Sequence, residues 1–481
     1  MPSFFITSST IMANQSFDFG LIGLGVMGRN LLLNMADHGF AVIGYNRSPQ
    51  KVTELESEIV PGTTVKGTSD LSLMVKELKT PRRIMMLVQA GKPVDDVLAE
   101  LIPLLDKGDI VIDGGNSHYT DTLRRVQYMQ EKGFHFMGVG VSGGEEGARR
   151  GPSIMPGGDK EAYPHVKPML EAVSAKVNGE PCVAYLGNGA AGHYVKMVHN
   201  GIEYGIMQLI SEVYDVLHRG YGLTNDELHQ VFTDWNEGEL QSFLVEITRD
   251  IFPKVDDKTG KRLVDLILDK AGSKGTGKWT SQDAMDLGIA IPTIDIAVSM
   301  RNLSALKDER VAASGIYPAA IKITGVSKEE IIQQAREALF FGTLISYAQG
   351  LALLYVASKE YNMEIPLPQV VKIWRGGCII RSTLLEIYYK AYTSNPALSN
   401  ILLDANIAAL IKSREANTRK FIATAVQAGI PAAALSVSLG YFDAYRSETM
   451  PTNLIQAQRD FFGAHTYQRI DEPGIFHTNW Q

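Results

Sequence analysis

What most constrains the fold of this chain is a change of texture near Gly192. Before it, short β-rich runs alternate with amphipathic helical stretches; after it, long helical patterns follow one another with almost no strand signal. Residues 19–22, 41–45, 83–88, 109–113, 135–139 and 182–186 read as strands. Strands that alternate with helices must cross over to reach a parallel neighbour, so such a series predicts a parallel sheet covered by helices on both faces. At 481 residues the chain is too long for one core. The expected architecture is a short extension over 1–17, a Rossmann-type α/β domain over 18–190, a large all-α domain over 191–446, and a C-terminal tail over 447–481.

The helical half reads as a duplication. Val231-Phe-Thr-Asp-Trp235 recurs as Val370-Val-Lys-Ile-Trp374, an offset of 139 residues, and Ser242, Leu244, Glu246 and Ile247 recur as Ser382, Leu384, Glu386 and Ile387, an offset of 140. A long apolar stretch precedes each copy, at 202–217 and 344–357, which suits a tandem helical unit. Beyond Arg446 the periodicity fades, yet aromatics persist. A disordered tail would lack them, so the segment is expected to lie as an ordered arm across another surface.

A formal charge of −7 and the lack of any Lys/Arg-rich run exclude bulk nucleic-acid binding. An anionic ligand must then be held by a local cationic cluster. Cys182 and Cys378 offer neither a disulfide framework nor a metal motif, which points to a reducing compartment. No apolar run is read as long enough to span a membrane. The first 17 residues lack Lys and Arg and fit neither a secretory signal nor a transit peptide well. A cytoplasmic protein is expected, with an organellar address in the extension as the alternative.

Gly23-Leu24-Gly25-Val26-Met27-Gly28 follows the first strand and opens a helix. Glycines at this spacing allow a tight turn, backbone approach to a pyrophosphate, and close helix–strand packing. The helix N-terminus then faces the anion. After the second strand comes Asn46-Arg47-Ser48, where an NAD site usually offers an acid to the ribose hydroxyls. An arginine there suits a 2′-phosphate, so NADP is expected; an exposed arginine beside a turn is the plainer reading. Val88-Gln89-Ala90 and the loop carrying Asn116 follow later strands and should border the same crevice. Ser142-Gly143-Gly144 could present backbone N–H groups to a carboxylate or hydroxyls.

Lys196, His199, Asn200 and Glu203 fall at i, i+3, i+4 and i+7, one face of a helix whose later turns are apolar. Such groups need a ligand or a dense polar network, because burying them unpaired costs several kcal/mol; a buried Lys–Glu pair would produce the same pattern. Lys274 sits in a glycine-rich loop that lacks phosphate-loop spacing and could deliver its amine to an anion.

The stretches GLGVMGRN, YNRS, DGGNS, GVSGGEEGARRGPSIMPGG, KMVHNGIEYG, KGTGKWT, SALKDER, RGGCIIRS, NLIQAQRDFFGAHTY and FHTNW resemble the 6-phosphogluconate dehydrogenases from about residue 18 to the end. Gly25 stands where many members have Ala, and Gln89 where Lys is common. The resemblance implies oxidative decarboxylation of 6-phosphogluconate to ribulose 5-phosphate with NADP and no metal, in the pentose phosphate pathway. It implies Lys196 as general base and Glu203 as the acid that protonates carbon 1. Asn116, Ser142, Gly143, Gly144, His199 and Asn200 would hold the carboxylate and hydroxyls, and Tyr204, Lys274 and Arg301 the phosphate. Arg459 and His465 would arrive from the tail of a partner in a homodimer. Another β-hydroxyacid dehydrogenase, or a catalytically silent NADP-binding protein, is the alternative.

Overall fold

The computed structural model describes residues 16–319 and 321–480; most of the extension expected over 1–17 therefore lies outside the described residues. The first unit runs β1 (Phe19–Ile22), α1 (Val26–Asp37), β2 (Val42–Tyr45), α2 (Pro49–Ser57), β3 (Val65–Thr68), α3 (Leu71–Glu77), β4 (Arg83–Met86), α4 (Lys92–Leu101), β5 (Ile110–Asp113), α5 (Tyr119–Glu131), β6 (His135–Ser142), α6 (Gly144–Arg150), β7 (Ser153–Gly158) and α7 (Tyr163–Val173). The seven strands are ordered β3-β2-β1-β4-β5-β6-β7, all parallel except the β6–β7 pair. Every residue of β1, β2 and β5 is buried, as expected for strands with helices on both faces. Strand order reverses between β1 and β4, and the crevice beyond their C-terminal ends is where a ligand can enter.

Residues 182–186 do not form the expected strand. Only Val183 bridges, to Ile154; β3 and β7 occupy the places that the alternation misses.

The second unit is helical: α8 (Ala191–Asp215), α9 (Asn225–Asn236), α10 (Phe243–Ile251), α11 (Thr276–Asp286), α12 (Pro292–Ser304), α13 (Lys307–Ile316), α14 (Lys328–Glu360), α15 (Leu367–Trp374), α16 (Leu384–Ser394), α17 (Ala405–Gln427), α18 (Ala433–Tyr445) and α19 (Thr452–Gly463). The order long helix, helix, helix appears twice, as α8-α9-α10 and α14-α15-α16. The copies meet at corresponding residues: Ser242 bridges Ser382, Phe243 N–H donates to Arg381 O at 3.0 Å, and Thr383 N–H to Gln241 O at 3.1 Å. The equivalent Trp235 and Trp374 are both buried. The 33-residue α14 is long and apolar enough to cross a membrane by composition, a length the sequence reading overlooked. With 83% of its apolar window buried, it is the central core helix of this half.

Helix α8 joins the halves. Its first turn rests on the sheet so closely that a Cβ at Gly157 of β7 would lie 2.2 Å from Gly192 N. Its later turns pack on α11, α12 and α14. The tail is not aperiodic as expected: it opens with α19 and folds back on itself, with Tyr467 paired to Phe476.

Candidate active site

The loop after β1 is shaped by its glycines. Gly23 has φ +100°, and a Cβ there would sit 2.4 Å from Leu87 O; at Gly28 it would sit 2.0 Å from Gly23 O. Around Gly25 a Cβ would meet nothing within 4 Å, so that backbone faces open space. The first turn of α1 carries no acid, and its N-terminal N–H groups point at a cleft of about 810 Å³. This cradle fits a pyrophosphate. The cleft is lined by Gly25, Val26, Met27, Gly28, Val88, Gln89, Ala90 and Asn116 among others. Gly23 and Leu24 shape it from behind.

Three cofactor candidates behave differently from their neighbours. The Asn46 side chain accepts Leu24 N–H at 3.0 Å through its oxygen and so fixes the glycine turn. Arg47 is 63% exposed and paired with Glu100. Ser48 starts α2 without a side-chain cap bond. Neither Arg47 nor Ser48 lines the cleft. The residues missed from sequence are His118, Asp121 and Trp279. Trp279 comes from α11 in the other half and packs edge-on against His118, ring centroids 4.9 Å apart. No local pattern announces that pairing.

A second cleft, about 620 Å³, shares Met27, Asn116, Val141 and Lys274 with the first, so the two are continuous. Ser142, Gly143, Gly144, Lys196, Asn200, Glu203, Tyr204 and Arg301 also line it, together with Met207, Thr276 and Ile379, which the sequence reading missed. Met207 belongs to the apolar later turns of α8. Arg459 and His465 lie on the tail, outside both clefts of this chain.

One hydrogen-bonded chain organises the second cleft. Lys196 Nζ donates to Asn200 Oδ1 at 2.9 Å, and His199 Nδ1 lies 3.0 Å from the same oxygen. Asn200 Nδ2 donates to Thr276 Oγ1 at 3.1 Å, and His199 Nε2 lies 3.3 Å from Ser142 Oγ. Burial holds His199 well below its ordinary pKa, helped by Lys196 and opposed by the Asn200 bond. The ring is therefore neutral: Nδ1–H donates to Asn200 and Nε2 accepts from Ser142.

Lys196 is 7% exposed. Burial pulls its pKa down, while the negative potential of Glu203 and Cys378 pulls the other way without prevailing. Burial likewise raises Glu203, against the opposing pull of Lys196 and Arg301. Both groups are thus biased toward neutral forms, an amine able to take a proton and a carboxyl able to give one. Beyond them, the Arg301 guanidinium lies 3.5 Å from the Tyr204 ring centroid and donates to Gly272 O at 3.1 Å. A Cβ at Gly277 would lie 2.5 Å from the Tyr204 ring, so the ring also packs closely on the start of α11. With Lys274, this end of the cleft is cationic. Among the described residues no group of three or more His, Cys, Asp or Glu could hold a metal ion.

Comparison with known proteins agrees across the whole chain. Residues 18–187 match the family described as the NAD binding domain of 6-phosphogluconate dehydrogenase, and residues 192–480 match its C-terminal domain. A decarboxylating, NADP(+)-dependent 6-phosphogluconate dehydrogenase of Bacillus subtilis is 54% identical over 462 residues, covering 96% of this chain and 98% of the relative. A decarboxylating relative from Escherichia coli is 50% identical over 467 residues, with the same coverage. The solved 6-phosphogluconate dehydrogenase of Plasmodium falciparum, described in its apo form and in complexes with NADP+ and with 6-phosphogluconate, superposes with a TM-score of 0.93 at 44% identity. It covers 96% of this chain and 100% of its own.

Proposed function

This chain belongs to the 6-phosphogluconate dehydrogenase family, and from that premise we propose how its own side chains perform the reaction. The enzyme oxidatively decarboxylates 6-phosphogluconate to ribulose 5-phosphate with NADP as electron acceptor. The observation that carries the reading is the continuity of the two clefts, with a neutral-biased amine and a neutral-biased carboxyl two turns apart on α8 facing the second. When bound, the nicotinamide supplies a hydride acceptor at the substrate's carbon 3.

In our assignment neutral Lys196 accepts the proton of the carbon 3 hydroxyl as oxidation proceeds. The ketone so formed lies β to the carboxylate, and carbon dioxide leaves with its bonding electrons delocalised toward the carbonyl oxygen. Protonated Lys196 returns its proton to that oxygen, giving an enediol, and Glu203 protonates the substrate's former carbon 2, which becomes carbon 1 of ribulose 5-phosphate. Lys196 is held in place by Asn200, and Asn200 in turn by Thr276. Asn116, Ser142 and the Gly143–Gly144 backbone, with His199 and Asn200, are assigned to the carboxylate and hydroxyls. Tyr204, Lys274 and Arg301 are assigned to the phosphate, where arginine's planar fork suits the oxygens. Arg47, released from Glu100, is assigned to the cofactor's 2′-phosphate. Gly23 through Gly28, Val88, Gln89 and Ala90 cradle the rest of the cofactor. The units 18–190, 191–446 and 447–481 are retained within this proposal, as is a cytoplasmic setting, with which two free buried cysteines accord.

We further propose a homodimer in which Arg459 and His465 of one protomer complete the partner's phosphate site. The tail leaves Leu454, Ile455, Phe461 and Phe462 exposed, a surface suited to burial against a second copy. The test of the reaction is the growth of reduced-nicotinamide absorbance and of carbon dioxide, in equal amounts, with 6-phosphogluconate and NADP. Reduction without carbon dioxide would refute the decarboxylating assignment. For the shared site, mixing inactive Lys196→Met protein with an Arg459→Ala/His465→Ala variant, nearly silent at low substrate but measurable at high, should restore activity at low substrate, because one site per heterodimer is whole. No restoration after subunit exchange would refute it.

A further inference from the structure

The tail contains a buried carboxylate that nothing in the reaction uses. Asp460, on the last turn of α19, is 0% exposed within the single chain. Its Oδ1 accepts Thr466 N–H at 2.9 Å and His477 Nδ1–H at 2.9 Å. Its Oδ2 accepts Thr478 N–H at 3.1 Å and Trp480 Nε1–H at 2.8 Å. Four donors from two separate segments, Thr466 and residues 477–480, therefore converge on one side chain. Burial alone would raise its pKa, but bonds from His477, Thr478, Trp480 and Thr466 outweigh that and hold it far down, so the carboxylate stays charged.

The segment it closes is strained. Ala464 has φ +49° and Thr466 has φ +62°, left-handed conformations that a β-branched residue rarely adopts. Backbone strain of this sort persists where surrounding structure over-determines it. Here Thr466 N–H is held by Asp460, and Thr466 O accepts Gln456 Nε2 at 2.5 Å. The residue between the two left-handed positions is His465, and Arg459 directly precedes Asp460 on α19.

We propose that Asp460 is a positioning residue that ties the tail into a rigid hook presenting Arg459 and His465 to the phosphate of a substrate in the partner's cleft. The inference rests on the reading that the tail completes the partner's site. An asparagine at 460 would keep size but offer one acceptor oxygen for four donors, two of which would then face an amide NH2. The hook would loosen while α19 itself remained.

The experiment is a double-mutant cycle on the full-length enzyme. Asp460→Asn should raise KM for 6-phosphogluconate about tenfold or more, the loss expected for charge-assisted bonds, and leave KM for NADP unchanged. In the Arg459→Ala/His465→Ala background, the same substitution should add nothing to KM. Melting temperatures are followed in parallel. Trp480→Phe removes one donor and keeps the ring, so it carries the test, with a smaller rise in KM, should Asp460→Asn not fold. Parental KM in Asp460→Asn, or an equal further rise in the Arg459→Ala/His465→Ala background, would overturn the proposal while leaving the shared site standing. Unchanged KM in Arg459→Ala/His465→Ala itself would remove the shared site and this inference together.

Discussion

Replacing Lys196 by Met separates chemistry from binding. Methionine keeps most of the stem, which packs so tightly on β6 that a Cβ at Gly140 would lie 2.5 Å from Lys196 Cβ. What is lost is the amine and its 2.9 Å bond to Asn200; the Asn200 oxygen retains His199 at 3.0 Å. A general base contributes about 10²–10⁴ in rate, so kcat should fall by at least that factor, about 3–5 kcal/mol of barrier. Lys196 lines only the substrate side, so fluorescence titration should give parental affinity for NADPH. Stability supplies an independent sign. The folded-state pKa of Lys196 is lowered by burial, so between that value and the ordinary lysine range the unfolded chain binds more protons. The parent's stability should therefore rise with pH across that window and be penalised below it, by about 1.4 kcal/mol per unit of displacement. The variant, without the buried amine, should lack this rise and be at least as stable near neutrality. A variant with retained turnover, or one that melts well below the parent across the pH range, would refute the reasoning, the second outcome marking the amine as a structural group.

Glu203→Gln should cut turnover by about 10²-fold or more and remove the facial selectivity with which deuterium from solvent enters carbon 1, read by NMR of the product made in D2O. Because burial raises the Glu203 pKa, the parent rate should fall as pH rises through that value, and the variant should lose this limb. Arg47→Asp sets a second acid beside Glu100 and should weaken NADP by about 10- to 100-fold, the loss of charge-assisted bonds, while sparing NAD; unchanged selectivity would exclude Arg47 as the 2′-phosphate reader. Gly140→Ala intrudes on the Lys196 stem and should lower kcat by more than it alters KM for NADP, since only the base is displaced. Parental kcat in that variant would mean that the stem gives way at no functional cost.

The Rossmann order was legible because strand, glycine turn and helix occur at their required spacing, and because β1, β2 and β5 are buried on both faces. The failures have physical causes. Val-Lys-Gly-Thr of β3 lies at the sheet edge, three of its four residues half-buried, so it lacks the apolar run. β7 contains Pro156 and two glycines, residues a strand usually avoids. Its edge position tolerates the proline, and the helix pressed on Gly157 excludes a side chain. Residues 182–186 look β-prone and touch β7 through the Val183 bridge, Cys182 O and Leu186 N–H, but the bonds are too few to make a ladder. Helix α19 was hidden because it is a single short helix between polar, irregular segments, and its one apolar face, Leu454, Ile455, Phe461 and Phe462, is left exposed rather than packed on this chain's core.

At the site, the stripe on α8 was visible because helix period alone gathers Lys196, His199, Asn200 and Glu203. Thr276, Trp279 and His118 were not, because tertiary packing alone brings them in; Met207 continues the α8 stripe one turn beyond Glu203, but its apolar side chain carries no signal of a ligand. Asn46 and Arg47 show a further limit. Residue type announced their neighbourhood, but whether a side chain faces a ligand or its own backbone depends on bonds that sequence does not display.

The most direct measurement is a crystal structure of the enzyme with 6-phosphogluconate and an unreactive NADP analogue bound together. The account predicts Lys196 Nζ within hydrogen-bonding reach, about 2.6–3.2 Å, of the carbon 3 hydroxyl, with the Glu203 carboxyl facing carbon 2, the atom that becomes carbon 1 of the product. A complex in which either group is turned away from those atoms, with no water between, would contradict it.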